Sequence, residues 1–262
     1  MRSHSSTYYR LTHILTSLLV VTALLADTSV AEEPVGFDVL KRCAKVSGGL
    51  DAFAKVNSIT MKATISVSQQ GVPASNSVQG TLESHFIAPD RAIVIVDLGS
   101  LGKSTRGVQG EIAWESSDSG NRKLKPSERK RLLDSISLRE TFEPTSVFAS
   151  FTNRGKEMVD GEPCYRVEVS RRGNDEADQI YYSVKSGLPM RTIATRHTMG
   201  GDRVVDSKVN QYKTYKGLQV ATEIRQLMQS FKLIHDVKVH TVEINGKIDE
   251  SVFTPPADLE KS

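Results

Sequence analysis

A chain of 262 residues with 34 basic and 31 acidic side chains, formally +3, is too balanced to be organised around nucleic acid or a strongly acidic surface. Hydrophobic residues make up 38% of it, enough for a sizeable core, and two cysteines exclude a disulfide-rich scaffold.

The N-terminus has the features of an export leader. Arg2 and Arg10 are positive, Ile14 to Ala26 is apolar but short for a membrane span, and Ser29-Val30-Ala31 offers small residues before Glu32. Residues 1–31 are therefore read as a signal peptide, and 32–262 as one domain working in the periplasm or outside the cell. No later apolar run approaches a membrane span, so the mature chain is not expected to cross a bilayer. Export lets a disulfide persist, and Cys43 and Cys164 admit a single intramolecular pairing; two separate buried thiols are the other reading.

Phe37 to Ser47 carries Val39, Leu40, Cys43 and Val46 at helical spacing and is stopped by Gly48-Gly49. Leu50 to Val56 is a second helical turn. The period then changes to two. In Thr60 to Ser68, Met61, Ala63, Ile65 and Val67 alternate with polar residues, and Val78 to Ile87 and Ala92 to Leu98 follow as strands. Two further strands end on Ile112-Ala113-Trp114. A helix is expected from Lys125 onward, with Ser127 as N-cap and Leu132, Leu133 and Ile136 on its apolar side. The segment holding Phe142, Val147, Phe148 and Phe151 reads equally as helix or extended lid. Beyond Lys156, turns near Asp160-Gly161, Arg172-Gly173-Asn174, Ser186-Gly187, Gly200-Gly201-Asp202, Lys216-Gly217 and Gln229-Ser230 divide a series of strands. The sum is a mainly β, α+β chain: an antiparallel meander of about eleven or twelve strands with two or three helices.

Catalytic signatures are weak. Gly99-Ser100-Leu101-Gly102-Lys103-Ser104 ends like a phosphate-binding loop, but has two residues between its glycines where four are needed, and no helix-forming run follows. Of His85, His197, His235 and His240, the last two fall on opposite faces of one strand, which argues against a shared metal, and all four read as ordinary exposed histidines. No nucleophile elbow appears. The reading is non-enzymatic, with no cofactor or metal, and an envelope hydrolase is a remote alternative.

What remains is a curved sheet whose helix-covered face can hold a greasy ligand. Met61, Ile65, Leu82, Phe86, Ala113 and Trp114 are candidates to line it, with Phe148 and Phe151 as cover. For any single one of them, packing as plain core is the favoured reading.

An ordered set of motifs adds to this reading. Gly48-Gly49, Gly80-x-Leu82, Pro89, Gly110-x-x-Ala113-Trp114 and Gly161-x-x-Cys164-Tyr165-x-Val167 are followed by Tyr181-Tyr182, Gly187-Leu188-Pro189, Tyr215-x-Gly217-Leu218 and Phe253-Thr254-Pro255. Together they resemble the LolA/LolB-type carriers of outer-membrane lipoproteins and their secreted relatives. That resemblance implies an incomplete antiparallel β-barrel of about eleven strands with helices over its open face, holding an acyl chain or other hydrophobic moiety. It also places Arg91 where the carriers have a basic residue after a proline, while Ser183 stands where relatives often carry an acid. The partner expected is a hydrophobic ligand or lipoprotein acyl chain. An envelope-protein interaction module with a filled core is the alternative.

Overall fold

The computed structural model describes residues 34–173, 177–198 and 201–259. The segment read as a leader, and parts of the expected turns at Asn174 and Gly200, lie outside those residues. The chain opens with α1 (Gly36–Val46) and α2 (Leu50–Phe53), then β1 (Ser58–Gln69), β2 (Val78–Ile87), β3 (Arg91–Asp97), β4 (Lys103–Gln109), β5 (Ile112–Ser117) and β6 (Gly120–Lys123). Three helices intervene: α3 (Pro126–Ile136), α4 (Arg139–Phe142) and α5 (Pro144–Val147). The strands resume as β7 (Phe148–Val159), β8 (Glu162–Arg171), β9 (Ala177–Ser183), β10 (Pro189–Thr198), β11 (Gly201–Tyr215), β12 (Leu218–Met228) and β13 (Leu233–Ile244).

All thirteen strands form one antiparallel sheet, ordered β6-β5-β4-β3-β2-β1-β13-β12-β11-β10-β9-β8-β7 and not closed between its ends. Each neighbour follows in sequence except at the centre, where β13 returns beside β1. The meander expectation holds. The strand number exceeds it by the short β6, Gly120–Lys123, which pairs with β5 ahead of α3, and the Phe-rich segment is two short helical turns running straight into β7 at Phe148.

The helices cover one face of this sheet, the inner face. On one half, Val39, Leu40 and Cys43 of α1 pack on Phe148, Val167, Val169, Ile180 and Tyr182. On the other, Leu133 and Ile136 of α3 pack on Ile59, Phe86, Ala92, Val108 and Ala113. Strict alternation would turn half of a long apolar run outward, and β13 avoids this with one extra residue. Its pairing with β1 shifts between Lys62 and Ala63, passing over His240. Val237 and Val239 before the bulge and Val242 and Ile244 after it consequently all pack on inner-face clusters. The bulge thus bends the central strand while keeping its apolar residues inward.

Local chemistry explains the helix ends. Gly48 has φ +127°, and a Cβ there would lie 2.4 Å from the Gly217 carbonyl oxygen, so α1 ends directly against the β11–β12 hairpin. The Ser47 carbonyl accepts the Gln219 N–H at 2.9 Å, which ties the same junction. At α3 the residue before the helix is Lys125 and Pro126 takes the first helical position, so Ser127 lies inside the helix and does not cap it. The Glu128 carboxylate instead accepts the Lys125 N–H at 2.9 Å.

The outer face is covered at one end by the C-terminal segment. Phe253 and Leu259 bury Ile93 and Trp114, with Ile87, Ile95, Ile248 and Val252 around them.

Candidate functional site

Several cavities accompany the helix layer among the described residues. The first is a groove of about 560 Å³ between α1–α2 and α4–α5. Phe37, Lys41, Ala44, Lys45 and Gly48 supply one wall, a stripe on the side of α1 away from its buried residues. Leu50 and Asp51 close one end, and Phe142, Glu143, Pro144 and Thr145 form the opposite wall. The floor is held by Phe53 of α2 stacked on Phe142 of α4, with centroids 4.8 Å apart and planes 9° apart. Leu50 is 59% exposed here although apolar. Lys41 sits over the Phe37 ring at 4.9 Å and pairs with Asp38 at 2.5 Å, leaving a basic rim beside an apolar wall.

The second cavity, about 170 Å³, lies under α3 and is lined by Arg106, Leu124, Glu128, Arg131, Leu132, Ser135 and Glu140. It is small and charged, because ion pairs cross the inner face around it. Glu115 of β5 accepts Arg106 Nε at 3.1 Å and Arg122 Nε at 2.9 Å; Arg122 also reaches both Glu128 oxygens at 2.8 and 2.9 Å. Burial pushes the Glu128 carboxyl up, but Arg122 and the Lys125 N–H outweigh it and hold the group below the usual carboxylate range. On the far half, Asp178 of β9 accepts Arg171 Nε at 3.1 Å and pairs with Arg131 at 3.4 Å, while Glu140 takes Arg171 Nη2 at 2.7 Å. Arg131 also donates to the Thr195 carbonyl, so α3, which packs on β2–β4, is fastened to β9 and β10 across the open side of the sheet.

The nine residues expected to line a cavity are distributed otherwise. Met61, Phe86 and Ala113 pack under α3. Ile65 and Leu82 belong to an inner-face cluster with Val96, Leu98, Ile224 and Val237. Phe148 and Phe151 are residues of β7 packed beneath α1, so they belong to the sheet and not to its cover. Trp114 faces outward, buried under Phe253, because it follows inward-facing Ala113 by one residue. Arg91 is also on the outer side and pairs with Glu250 at 2.6 Å. None of the nine lines either cavity. Alternation already put Arg106 on the face of Val108 and Glu115 on that of Ala113, which was the available sign of a charged interior. The groove had no such sign, since its walls come from separate helices.

The disulfide is not formed. Cys43 and Cys164 are free and buried, Cys43 in the inner core under α1 and Cys164 in a separate cluster with Val159 and Tyr181. Burial, slightly offset by the Ser47 hydroxyl, pushes the Cys43 thiol up to about 12; burial and then Glu162 push Cys164 to about 11.

The phosphate-loop lookalike is a short 3-10 turn at Gly99–Leu101 that leads straight into strand β4. Among the described residues no group of His, Cys, Asp or Glu is arranged to hold a metal ion. None of their helices is long and apolar enough to cross a membrane.

No family model matches the sequence, and no curated protein matches it significantly. Solved structures do share its fold. A DUF1329 family protein from Desulfovibrio piger superposes with a TM-score of 0.56 at 12% identity, over 85% of this chain and 98% of that one. A LolA superfamily protein from Nitrosomonas europaea gives 0.54 at 11% identity, over 85% and 99%. An outer-membrane lipoprotein-sorting protein domain from Vibrio parahaemolyticus gives 0.54 at 9%, over 83% and 95%. The fold is LolA-like, an open β-barrel with helices, as the short motifs imply.

Proposed function

We propose that residues 32–262, freed of the leader, form an envelope protein that binds a hydrophobic ligand without transforming it, the ligand being a lipid or the acyl chain of a lipoprotein. The ligand lies in the groove between α1–α2 and α4–α5. The observation that carries this reading is an apolar-walled groove of about 560 Å³, inside the size range of small-molecule sites, with Leu50 left exposed at its end. Likeness in fold to a LolA superfamily protein and to a lipoprotein-sorting domain supports it, and so do the leader-like N-terminal features. The test is to express the full chain in a bacterial host, recover the mature protein from the envelope, extract it with solvent and analyse the extract by mass spectrometry. A hydrophobic fluorescent probe should then bind the stripped protein and be displaced by the extract. Absence of both lipid and probe binding sinks the proposal.

A second reading is favoured by one observation, the small and charged space under α3. With the interior occupied by side chains, the groove outside the helices suits the apolar face of a partner's amphipathic helix. Recovery of a stoichiometric envelope protein in place of lipid, with Leu50→Glu abolishing its capture, distinguishes this reading.

A further inference from the structure

We infer that a crevice between α3 and the end of β8 is an anion site, shaped for one oxygen of a phosphoryl group. Ser127, Lys130, Arg131 and Asp134 are spaced so as to form one stripe of α3, and they face Val147, Arg171 and Arg172 across a cavity of about 20 Å³. Four of these seven side chains are cations and one is an anion.

The depth of the crevice sorts its lining. At the floor Arg171 is 7% exposed and Asp134 2%, with Val147 fully buried; at the mouth Ser127 and Arg172 are exposed and Lys130 is about half so. Floor charges are largely neutralised. Asp134 holds Lys130 at 2.5 Å and Arg139 at 3.4 Å, and Arg131 and Arg171 share Asp178. One donor is left over. Arg171 Nη1 is buried and has no acceptor among the protein's atoms, although Nε and Nη2 of the same guanidinium are bonded to Asp178 and Glu140. A buried guanidinium donor without an acceptor is costly, and an anion oxygen in the crevice satisfies it.

The volume sets the class of ligand. About 20 Å³ admits one atom-sized group and not a whole phosphate, so the remaining oxygens stay at the mouth, within reach of Lys130, Arg172 and the Ser127 hydroxyl. The Arg172 guanidinium is oriented for this by Nε, which donates to the Thr145 carbonyl at 2.9 Å. Free phosphate and the phosphate of a lipid headgroup present the same chemistry. The site stands independently of any ligand in the groove, although Thr145 of α5 lines that groove from its other side.

The test is calorimetric titration of the mature protein with inorganic phosphate, and separately with monomeric dihexanoyl phosphatidic acid, at ionic strength fixed with gluconate. Saturable binding of either ligand is expected, weakened about tenfold by Lys130→Ala and again by Arg172→Ala, with the distant Lys103→Ala variant unchanged. Binding of phosphate alone assigns the site to the free ion, and binding of the phosphatidic acid alone assigns it to a headgroup. Failure of both ligands to bind the wild-type chain, or equal weakening by Lys103→Ala, overturns the inference. Because the wild-type titrations come first, a variant that fails to fold leaves that decision intact.

Discussion

Gly107 of β4 and Trp114 of β5 are cross-strand partners, and the indole lies so close over the glycine that a Cβ on residue 107 would be 2.1 Å from its Cζ2. The ring is in turn capped by Phe253, and this stack joins the sheet to the C-terminal segment. Gly107→Ala must push the indole into Phe253. It should destabilise by about 2 kcal/mol, in the range of overpacked cores, read as a lower urea midpoint with unchanged slope.

Trp114 is the only tryptophan, so its emission reports the same junction. Phe253→Ala removes a fully buried ring from the outer-face cluster. A loss of about 3–5 kcal/mol and a red-shifted emission maximum are expected. An unshifted spectrum would show that the tail does not shield the indole in solution.

The two thiols should be inert in the folded protein. Both are buried, and their acidities are pushed well away from neutrality, to about 12 for Cys43 and about 11 for Cys164. Ellman's reagent at pH 8 should find no reactive thiol in the native chain and two after denaturation. Non-reducing electrophoresis of oxidised protein should show no internal cross-link.

Acid should weaken the fold in two stages. Burial pulls His85 and His235 below 6.5, with Glu83 and Asp236 opposing in part, and Glu128 is held below 4.5 by Arg122 and Lys125 despite its burial. In each case the folded form binds its proton less readily than the unfolded chain. Stability is therefore complete above the unfolded value and falls as pH drops through the folded one. The urea midpoint should decline first below about pH 6.5 and again below about 4.5. Replacing His85 and His235 by Gln should flatten the upper stage alone.

Arg122 joins Glu115 and Glu128, whose side chains are 11% and 8% exposed. Arg122→Met leaves two buried carboxylates short of a partner and should cost about 3 kcal/mol. Adding Glu115→Gln and Glu128→Gln should recover part of that loss, and chemical denaturation of the three proteins measures it.

Much of the architecture is legible in the chain. Gly48-Gly49 closes α1 where a helix must stop, Asp160-Gly161 turns β7 into β8 with both residues at positive φ, and alternation delimits β2 at Val78 and Ile87. These are local signals, set by backbone sterics and by which side chains can face water. The inner-face residues Met61, Ile65, Leu82, Phe86 and Ala113 follow from the same period of two. That period also assigns Trp114 to the opposite face from Ala113.

Only the tertiary structure decides the rest. It shows that α3 crosses the open side and ties Arg131 to Asp178 and Thr195, making the interior charged and small. It puts the roomier groove outside the helices, between side chains more than ninety positions apart in the sequence, Phe37 and Phe142 among them. It also separates Cys43 from Cys164 and brings Arg171, whose Nη1 is buried without an acceptor, together with Lys130 around one crevice. A residue's face follows from its own stretch of chain, whereas its neighbour across a cavity depends on how distant elements pack, which no local period records.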